Sequence, residues 1–172
     1  TTYNIKSEIS NIIIDSSCSF TANTNYAGAI VAITNYTDII NCHNMGATVI
    51  ATTSYAGGIV AQAGAGSTIS GCTSKANVTS NWYAGGIAGL VSYATMTNNL
   101  VGMGLEEDET ITINCSNGGG AIVSNINNVS GSDNFYNGMA VILNSKNTTY
   151  QGQGYAYWRS DNDFLKSATG GY

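Results

Sequence analysis

Short apolar runs return along the chain at a nearly constant interval. Tyr26 opens the block Tyr-Ala-Gly-Ala-Ile-Val, and Tyr55 and Tyr83 open the close copies Tyr-Ala-Gly-Gly-Ile-Val and Tyr-Ala-Gly-Gly-Ile-Ala. These tyrosines follow one another at intervals of 29 and 28 residues. Self-similarity at such a period indicates a repeat architecture in which each copy is one structural unit.

Two further apolar elements recur between the tyrosine blocks. The first is Ile-Ile-Asn-Cys at 39–42, which returns as Ile-Ser-Gly-Cys at 69–72 and in degenerate form as Met-Thr-Asn-Asn at 96–99. The second is a short valine-centred piece around Val49 and Val78. Three short strand-like pieces per period, separated by Gly, Asn and Ser, predict one coil of a β-helix.

The sequence therefore predicts an all-β fold, a right-handed parallel β-helix (β-solenoid) with three short strands per coil and about six coils. Stacked coils pair each strand with its equivalent about 4.8 Å away, so that like residues form ladders. We expect Tyr26, Tyr55 and Tyr83 to stack on one another, and Cys42 and Cys72 to lie in an inward ladder. The Gly pairs are expected at corners with positive φ or with no room for a Cβ.

The repeats become irregular towards both ends of the chain, which predicts atypical terminal coils. We interpret 1–172 as one solenoid domain with an irregular N-terminal coil at 1–20 and regular repeats at 21–100. An acidic loop insertion is expected at 104–110, and C-terminal coils with an aromatic cap at 111–172.

Other fold classes explain the pattern less well. No segment shows sustained apolar spacing of three and four residues with good helix formers. An antiparallel sandwich would account for short strands and turns, but it would not account for the regular return of the tyrosine block.

The glycine blocks carry a family resemblance. The run Ala-Gly-Gly-Ile-Ala-Gly-Leu at 84–90, followed by Ile or Met, Asn and Cys, resembles the GLUG-type repeat over roughly residues 20–130. Ala29 departs from the pattern because it replaces the second Gly of its block. The resemblance implies a β-helical stalk or binding module of a secreted or surface-attached, adhesin-like microbial protein, and it implies no catalytic residues.

Composition restricts the partners. Charged residues make up only 9% of the chain, the net charge is −5, and there are five Lys and Arg residues in total. Because nucleic-acid binding depends on clustered basic residues, we expect no nucleic-acid partner. No apolar run reaches the 18 or so residues of a membrane span, so none is predicted. The scarcity of Lys and a start at Thr1 that looks processed lead us to expect an extracellular or cell-surface location.

The only histidine, His43, adjoins Cys42, which raises the question of a Cys-His nucleophile or a metal site. Adjacent strand residues face opposite sides, so we expect Cys42 to point inward and His43 to point to solvent. The four cysteines lack zinc spacing, and three of them are placed at similar points of their coils. Free buried thiols are preferred, although stacked cysteines also fit a disulfide.

Acidic residues offer one candidate metal site and no catalytic cluster. Glu106, Glu107, Asp108 and Glu109 could hold calcium through oxygen ligands, or they form a solvated acidic loop. The remaining carboxylates are scattered along the chain, whereas glycan-cleaving β-helix enzymes need them clustered on one face. We therefore predict no enzyme activity and no cofactor other than calcium.

Aromatic residues near the C-terminus are candidate binding residues. Tyr155, Tyr157 and Trp158 would stack on sugar rings or on a protein partner, and the same residues would serve equally well to cap the solenoid.

The preferred hypothesis is a non-catalytic structural or adhesive module that binds a surface glycan or protein. The alternative is a subunit that assembles with its own copies into a fibre through open solenoid ends. Carbohydrate binding and ice binding are weaker hypotheses. The candidate ice-binding arrays, Thr-Met-Thr at 95–97 and Thr-Ile-Thr at 110–112, do not repeat once per coil.

Overall fold

The fold is defined by a computed structural model that describes residues 5–102, 104–105, 109–137 and 140–145. These residues form short β-strands, β1 to β23, joined by turns and bends, and they contain no helix. Within this part of the chain, accordingly, no helix could cross a lipid bilayer.

The strands follow one another in groups of five. The first coil contains β1 (Ser7–Ser10), β2 (Ile13–Ile14), β3 (Ser19–Ala22), β4 (Tyr26–Gly28) and β5 (Val31–Thr34). The second coil contains β6 (Thr37–Ile40), β7 (His43–Asn44), β8 (Thr48–Ala51), β9 (Tyr55–Gly57) and β10 (Val60–Ala63). The third coil contains β11 (Thr68–Ser70), β12 (Thr73–Ser74), β13 (Val78–Ser80), β14 (Tyr83–Gly85) and β15 (Ala88–Ser92). The fourth coil contains β16 (Thr95–Thr97), β17 (Leu100–Val101), β18 (Ile111–Cys115), β19 (Gly118–Gly120) and β20 (Val123–Asn127). A fifth coil begins with β21 (Ser130–Ser132), β22 (Phe135–Tyr136) and β23 (Val141–Ser145).

Equivalent strands of successive coils pair in parallel and form five sheets. Sheet 1 has the order β1-β6-β11-β16-β21, sheet 2 the order β2-β7-β12-β17-β22, and sheet 3 the order β3-β8-β13-β18-β23. Sheet 4 has the order β4-β9-β14-β19 and sheet 5 the order β5-β10-β15-β20. The predicted all-β parallel β-solenoid is confirmed.

Two details of the prediction were wrong. Each coil contains five short strands rather than three, and the described residues form about four turns rather than six. The strand count differs because two of the predicted elements are bent. Asn41, with φ 51°, separates β6 from β7, and the bend at Gly58 and Ile59 separates β9 from β10.

Left-handed residues form a corner between sheets 1 and 2. The corner residue has φ between 51° and 64° in each coil and is Asn11, Asn41, Gly71, Asn98 or Asp133. Gly, Asn and Asp are the residues that adopt this conformation most readily, so the sequence suits the turn. The position of this corner determines which of the residues after it points its side chain into the core.

The glycines of sheet 4 are required by close packing rather than by positive φ. A Cβ on Gly57 would overlap the carbonyl oxygen of Val60 and would lie 2.8 Å from the Cα of Ala88 in the next coil. The second of the two predicted reasons for glycine therefore applies in this sheet. The backbone ladder continues through the adjoining bend, where the amide of Ile59 donates to the carbonyl of Ile87 at 3.0 Å.

The core is built from columns of apolar side chains. In sheet 1, Ile39, Ile69 and Met96 occupy one column and are fully buried. In the bend after sheet 4, Ile59 and Ile87 are also fully buried. Complete burial of such a side chain contributes about 1.5–3 kcal/mol, so the stacked columns supply the main stabilising term.

The fourth coil contains the longer connection that the acidic sequence predicts. β17 ends at Val101 and β18 begins at Ile111, whereas β12 ends at Ser74 and β13 begins at Val78. The register resumes after the connection, since Ile113 pairs with Val78.

Candidate functional site

The predicted tyrosine ladder lies on the outer face of sheet 4. The ring centroids of Tyr26 and Tyr55 are 5.7 Å apart with 9° between their planes, and those of Tyr55 and Tyr83 are 5.2 Å apart with 14°. Trp82 meets Tyr83 edge-on at 6.1 Å. The prediction that the three tyrosines stack is confirmed.

The environment of the middle tyrosine differs from that of free phenol. Burial between its neighbours is the main cause that raises the pKa of Tyr55. Repulsion from the negative charges that Tyr83 and Tyr26 carry when ionised raises this pKa further. The next residue in the column is Gly118, and the side-chain amide of Asn117 donates to the Tyr83 hydroxyl at 3.0 Å. The stack therefore contains three rings and ends on a hydrogen bond.

Cys42 and Cys72 lie in the interior at equivalent positions and are fully buried. Each thiol donates to a backbone carbonyl, Cys42 to Ile40 at 3.4 Å and Cys72 to Ser70 at 3.5 Å. Burial raises the pKa of Cys72 to about 12, so this thiol stays protonated. All four cysteines are free thiols, and for the buried pair Cys42 and Cys72 this agrees with the preferred expectation.

The expectation that three cysteines share one position was wrong. Cys18 is exposed and precedes β3, whereas Cys115 belongs to β18 and pairs with Ser80 and Ser145. The position after the left-handed corner is Ile12 in the first coil, because the corner residue there is Asn11.

His43 faces the opposite side of its strand from Cys42, as predicted. Its Nδ1 is 2.8 Å from the hydroxyl of Thr73, and its Nε2 is 2.9 Å from Oδ1 of Asn41. The imidazole therefore bonds to outward polar neighbours, while the thiol of Cys42 is buried. This geometry provides no Cys-His nucleophile.

The predicted calcium ligands fall largely outside the described residues. Glu106, Glu107 and Asp108 lie there, and Glu109 is exposed. In the described part of the chain, no group of three or more His, Cys, Asp or Glu side chains is arranged to hold a metal ion. The predicted binding residues Tyr155, Tyr157 and Trp158 also lie outside the described residues, so both interpretations stay predictions.

An asparagine ladder continues the cysteine column, and sequence reasoning missed it. Asn99 is fully buried, and its Nδ2 donates to the carbonyl of Ile69 at 2.9 Å and to Oδ1 of Asn134 at 2.7 Å. Its Oδ1 accepts from the amide of Cys72 at 3.0 Å. The signal for this ladder was the place of Asn99 directly after a left-handed corner, where the second and third coils have Cys.

The outer face of sheet 1 carries two columns of hydroxyl groups over three coils. One column contains Thr68, Thr95 and Ser130, and the other contains Ser70, Thr97 and Ser132. The hydroxyls of Thr95 and Ser130 are 3.0 Å apart, and Thr97 donates to Ser70 at 3.0 Å. We call these columns the hydroxyl face.

The hydroxyl face corrects one part of the sequence analysis. The Thr-Met-Thr run at 95–97 does have aligned hydroxyl counterparts in both neighbouring coils, which are Thr68 and Ser70 on one side and Ser130 and Ser132 on the other. The Thr-Ile-Thr run at 110–112 lies apart from it: Thr112, in sheet 3, pairs with Ile142.

A charged group borders the hydroxyl face. Glu8 and Asp38 precede Thr68 in its column. The ammonium of Lys6 lies 2.7 Å from Asp38 and donates to Thr68 at 3.0 Å. The hydrogen bond from Lys6 holds the pKa of Asp38 below its usual value, so that this carboxylate stays ionised and paired.

A second left-handed corner lies between sheets 5 and 1. Its residues are Tyr36, Gly66, Tyr93 and Asn128, with φ of 49°, 70°, 51° and 50°. Tyr36 is 40% exposed and Tyr93 is 57% exposed. We call this row the tyrosine corner, and its Tyr93 adjoins the hydroxyl face through Thr95.

One comparison with known proteins identifies the repeat. Residues 52–79 match the family model of the GLUG motif. The chain carries a GLUG repeat. No curated protein and no solved structure matches the chain.

The matched GLUG repeat corresponds to one full turn of the solenoid. It begins after β8, includes β9 to β12, and ends within β13. It therefore contains one Tyr-Ala-Gly-Gly-Ile block and one buried cysteine of the column, and the same geometry recurs in the adjoining coils.

Proposed function

We propose that this GLUG solenoid is a non-catalytic structural or adhesive module of an extracellular microbial surface protein. The hydroxyl face carries this proposal. The interior columns are occupied by packed side chains, and every buried side-chain nitrogen and oxygen of the described residues has a hydrogen-bond partner. The groups that remain for a partner are therefore the outward ones, which repeat from coil to coil.

The carboxylates of sheet 1 support the non-catalytic part of this proposal. Glu8 and Asp38 are neighbours in one column, as a glycan-cleaving pair would be. Asp38, however, is paired with Lys6, and its lowered pKa makes it a poor proton donor at neutral pH. Glu8 accepts a hydrogen bond from Ser10 at 2.7 Å.

An adhesive role suits a repeated array of weak binding groups. Each hydroxyl pair offers few contacts, but successive coils repeat the pair at the strand spacing of about 4.8 Å. Several modest contacts made by one rigid body raise the overall affinity, because later contacts are intramolecular.

The test is adhesion of beads coated with the chain to a glycan array and to immobilised extracellular proteins. We expect retention of the coated beads, and at least tenfold weaker retention for Thr97→Lys, which places a charge on the hydroxyl face. Thr79→Lys, the same change on sheet 3, is the matched control and should retain binding. An antibody to the chain should also label intact cells of the producing microbe.

No retention on any surface, equal retention by both variants, or labelling only after cell lysis would contradict the proposal.

The alternative function is end-to-end assembly into a filament, and the first coil favours it. Within the described residues, β3 and β4 pair on one side only, and a cleft of about 370 Å³ beside them is lined by Phe20, Ala22 and Ala27 among others. Ile13 is 69% exposed at the same end. Unpaired strand edges with apolar neighbours are suited to pair with a second copy.

Electron microscopy over a concentration series tests this alternative. Thr21→Lys places a charge on β3 of the first coil, whereas Thr79→Lys makes the same change in the same outward column, two coils away. Filaments that are formed by the native chain and by Thr79→Lys, and are lost with Thr21→Lys, would support assembly. Their absence at every concentration would exclude it.

Ice binding remains the weaker hypothesis. The hydroxyl face repeats over three coils, as such a surface requires, but its columns are interrupted by Asp38 and Ile40 in the second coil. A measurement of thermal hysteresis tests ice binding, and we expect no thermal hysteresis.

A further inference from the structure

The tyrosine corner contains two residues that the backbone does not favour. A left-handed conformation costs an ordinary residue roughly 1–2 kcal/mol, and Tyr gains nothing there, unlike Gly or Asn. The corner between sheets 1 and 2 uses only Asn, Gly and Asp, and Gly66 and Asn128 satisfy the same requirement in the tyrosine corner. Tyr36 and Tyr93 are therefore not explained by the turn.

Core packing does not explain the two tyrosines either. Their exposed fractions are 40% and 57%, so that both rings lie on the outside of the solenoid. The ring of Tyr36 lies over Gly66, where a Cβ would be 2.6 Å from Cδ1 of the tyrosine. Strained residues that serve neither the turn nor the core point to a role outside the chain.

A groove adjoins Tyr93. It has a volume of about 530 Å³ and is lined by Tyr93 and Asn128 of the corner, by Thr68, Thr95 and Ser130 of the hydroxyl face, and by Lys6, among others. This volume falls within the range of roughly 300–1,000 Å³ that is typical of small-molecule sites.

The lining combines one aromatic ring with neutral polar groups. A sugar ring has C–H groups on one face, which suit a tyrosine ring, and hydroxyls around its rim, which both donate and accept. The Thr95 and Ser130 hydroxyls are held by their mutual hydrogen bond, and each retains capacity for a further one. The amide of Asn128 adds a donor and an acceptor.

The charge of the groove indicates which sugars fit. Lys6 is the only basic residue of the lining, and its ammonium is paired with Asp38 at 2.7 Å. The groove therefore lacks a free cation that would select a carboxylate or phosphate. A protein partner is also a poorer fit, because protein interfaces centre on buried apolar anchors, and this lining has only one large ring.

We propose that the groove between Tyr93 and the hydroxyl face binds a neutral saccharide unit, with the Tyr93 ring beneath it and Thr95, Asn128 and Ser130 at its rim. This inference deepens the adhesive function proposed above and rests on it. It gives that function a ligand class and a position, distinct from the C-terminal aromatic residues of the sequence analysis.

The test measures binding of soluble neutral oligosaccharides of glucose, galactose and mannose by calorimetry and by NMR titration of the full chain. Uronic-acid and phosphorylated oligosaccharides form the anionic arm. Tyr93→Asn removes the ring but keeps a residue suited to positive φ, so we expect at least tenfold weaker binding and a melting temperature equal to or above that of the native chain. Trp82→Asn, at another exposed aromatic side chain, should leave binding unchanged.

The NMR titration of the native chain decides the matter even where a variant fails to fold. Shifts that a neutral sugar induces at Tyr93, Thr95 and Asn128 support the site. Binding of anionic sugars alone, shifts elsewhere, or no binding of any saccharide would overturn it. A native chain that retains bead adhesion but binds no saccharide overturns this site and leaves the adhesive function standing, whereas a native chain that shows no adhesion overturns both.

Discussion

The rings of Tyr55 and Tyr83 lie 5.2 Å apart and within 14° of parallel, although 28 residues separate them in the chain. This separation is close to the distance between paired parallel strands. The contact therefore reports the stacking of one coil on the next, and it recurs between Tyr26 and Tyr55.

The tyrosine stack predicts a difference between its middle and its end. Tyr55→Ala removes two ring contacts, and Tyr26→Ala removes one. Because an aromatic pair contributes about 0.5–1.5 kcal/mol beyond its buried area, we expect Tyr55→Ala to lower the free energy of unfolding by about 1 kcal/mol more. Urea denaturation measures it, with Tyr55→Phe as a near-neutral control, and equal losses at both positions would contradict the stack.

Two glycines separate close packing from backbone conformation. Gly57 has no room for a Cβ, so Gly57→Ala should destabilise the chain by about 3 kcal/mol. Gly71, with φ 64°, has its nearest atom 3.8 Å from a Cβ, and Gly71→Ala should cost about 1 kcal/mol. Thermal unfolding of both variants tests the order, and a larger loss at Gly71 would show that the close approach in sheet 4 is wrong.

The buried asparagine ladder predicts intolerance of a single charge. Asn99→Asp removes the side-chain amide hydrogens that donate to Ile69 and Asn134, and it buries a carboxylate. We therefore expect the free energy of unfolding to fall by at least about 3 kcal/mol at neutral pH. Asn98→Asp makes the same change one residue earlier, at an exposed corner where the fifth coil has Asp133, and should stay within about 0.5 kcal/mol of the native chain. Equal denaturant midpoints for Asn99→Asp and Asn98→Asp would contradict the buried asparagine ladder.

The Cys72 thiol predicts a dependence of stability on alkaline pH. Its pKa is about 12 in the folded chain against an ordinary value of 9.0, so the folded state keeps a proton that the unfolded state loses. This contribution is complete below pH 9 and disappears between pH 9 and 12, at up to about 1.4 kcal/mol per pH unit. Cys72→Ala should show a shallower fall of unfolding free energy over that window, and identical slopes would contradict the burial of the thiol.

The sequence predicted the features that repeat as whole residues. The Tyr-Ala-Gly blocks identified the solenoid and the tyrosine stack, and the Ile-Ile-Asn-Cys element identified the buried pair Cys42 and Cys72, because the same residue type recurs at these positions in neighbouring coils. The five-strand coil was missed because the sequence did not reveal the two breaks within its elements, the left-handed corner at Asn41 and the bend at Gly58 and Ile59. Asn41 signals that conformation weakly, and Tyr93 does not signal it at all.

The candidate site was predicted less well for a related reason. The hydroxyl face uses Thr and Ser interchangeably, and its alignment depends on unequal coil lengths, so only the register between strands reveals the columns. To recognise the tyrosine corner as a candidate site, both the φ values and the groove must be known, and neither has a sequence signature.

The most direct measurement of the central claim is a set of interstrand nuclear Overhauser effects in sheet 4. The stacked solenoid predicts contacts in a parallel pattern between Ala27 and Ala56 and between Ala56 and Ala84, with ring contacts joining Tyr55 to both other tyrosines. An antiparallel pattern, or tyrosine rings without mutual contacts, would contradict the stacked solenoid.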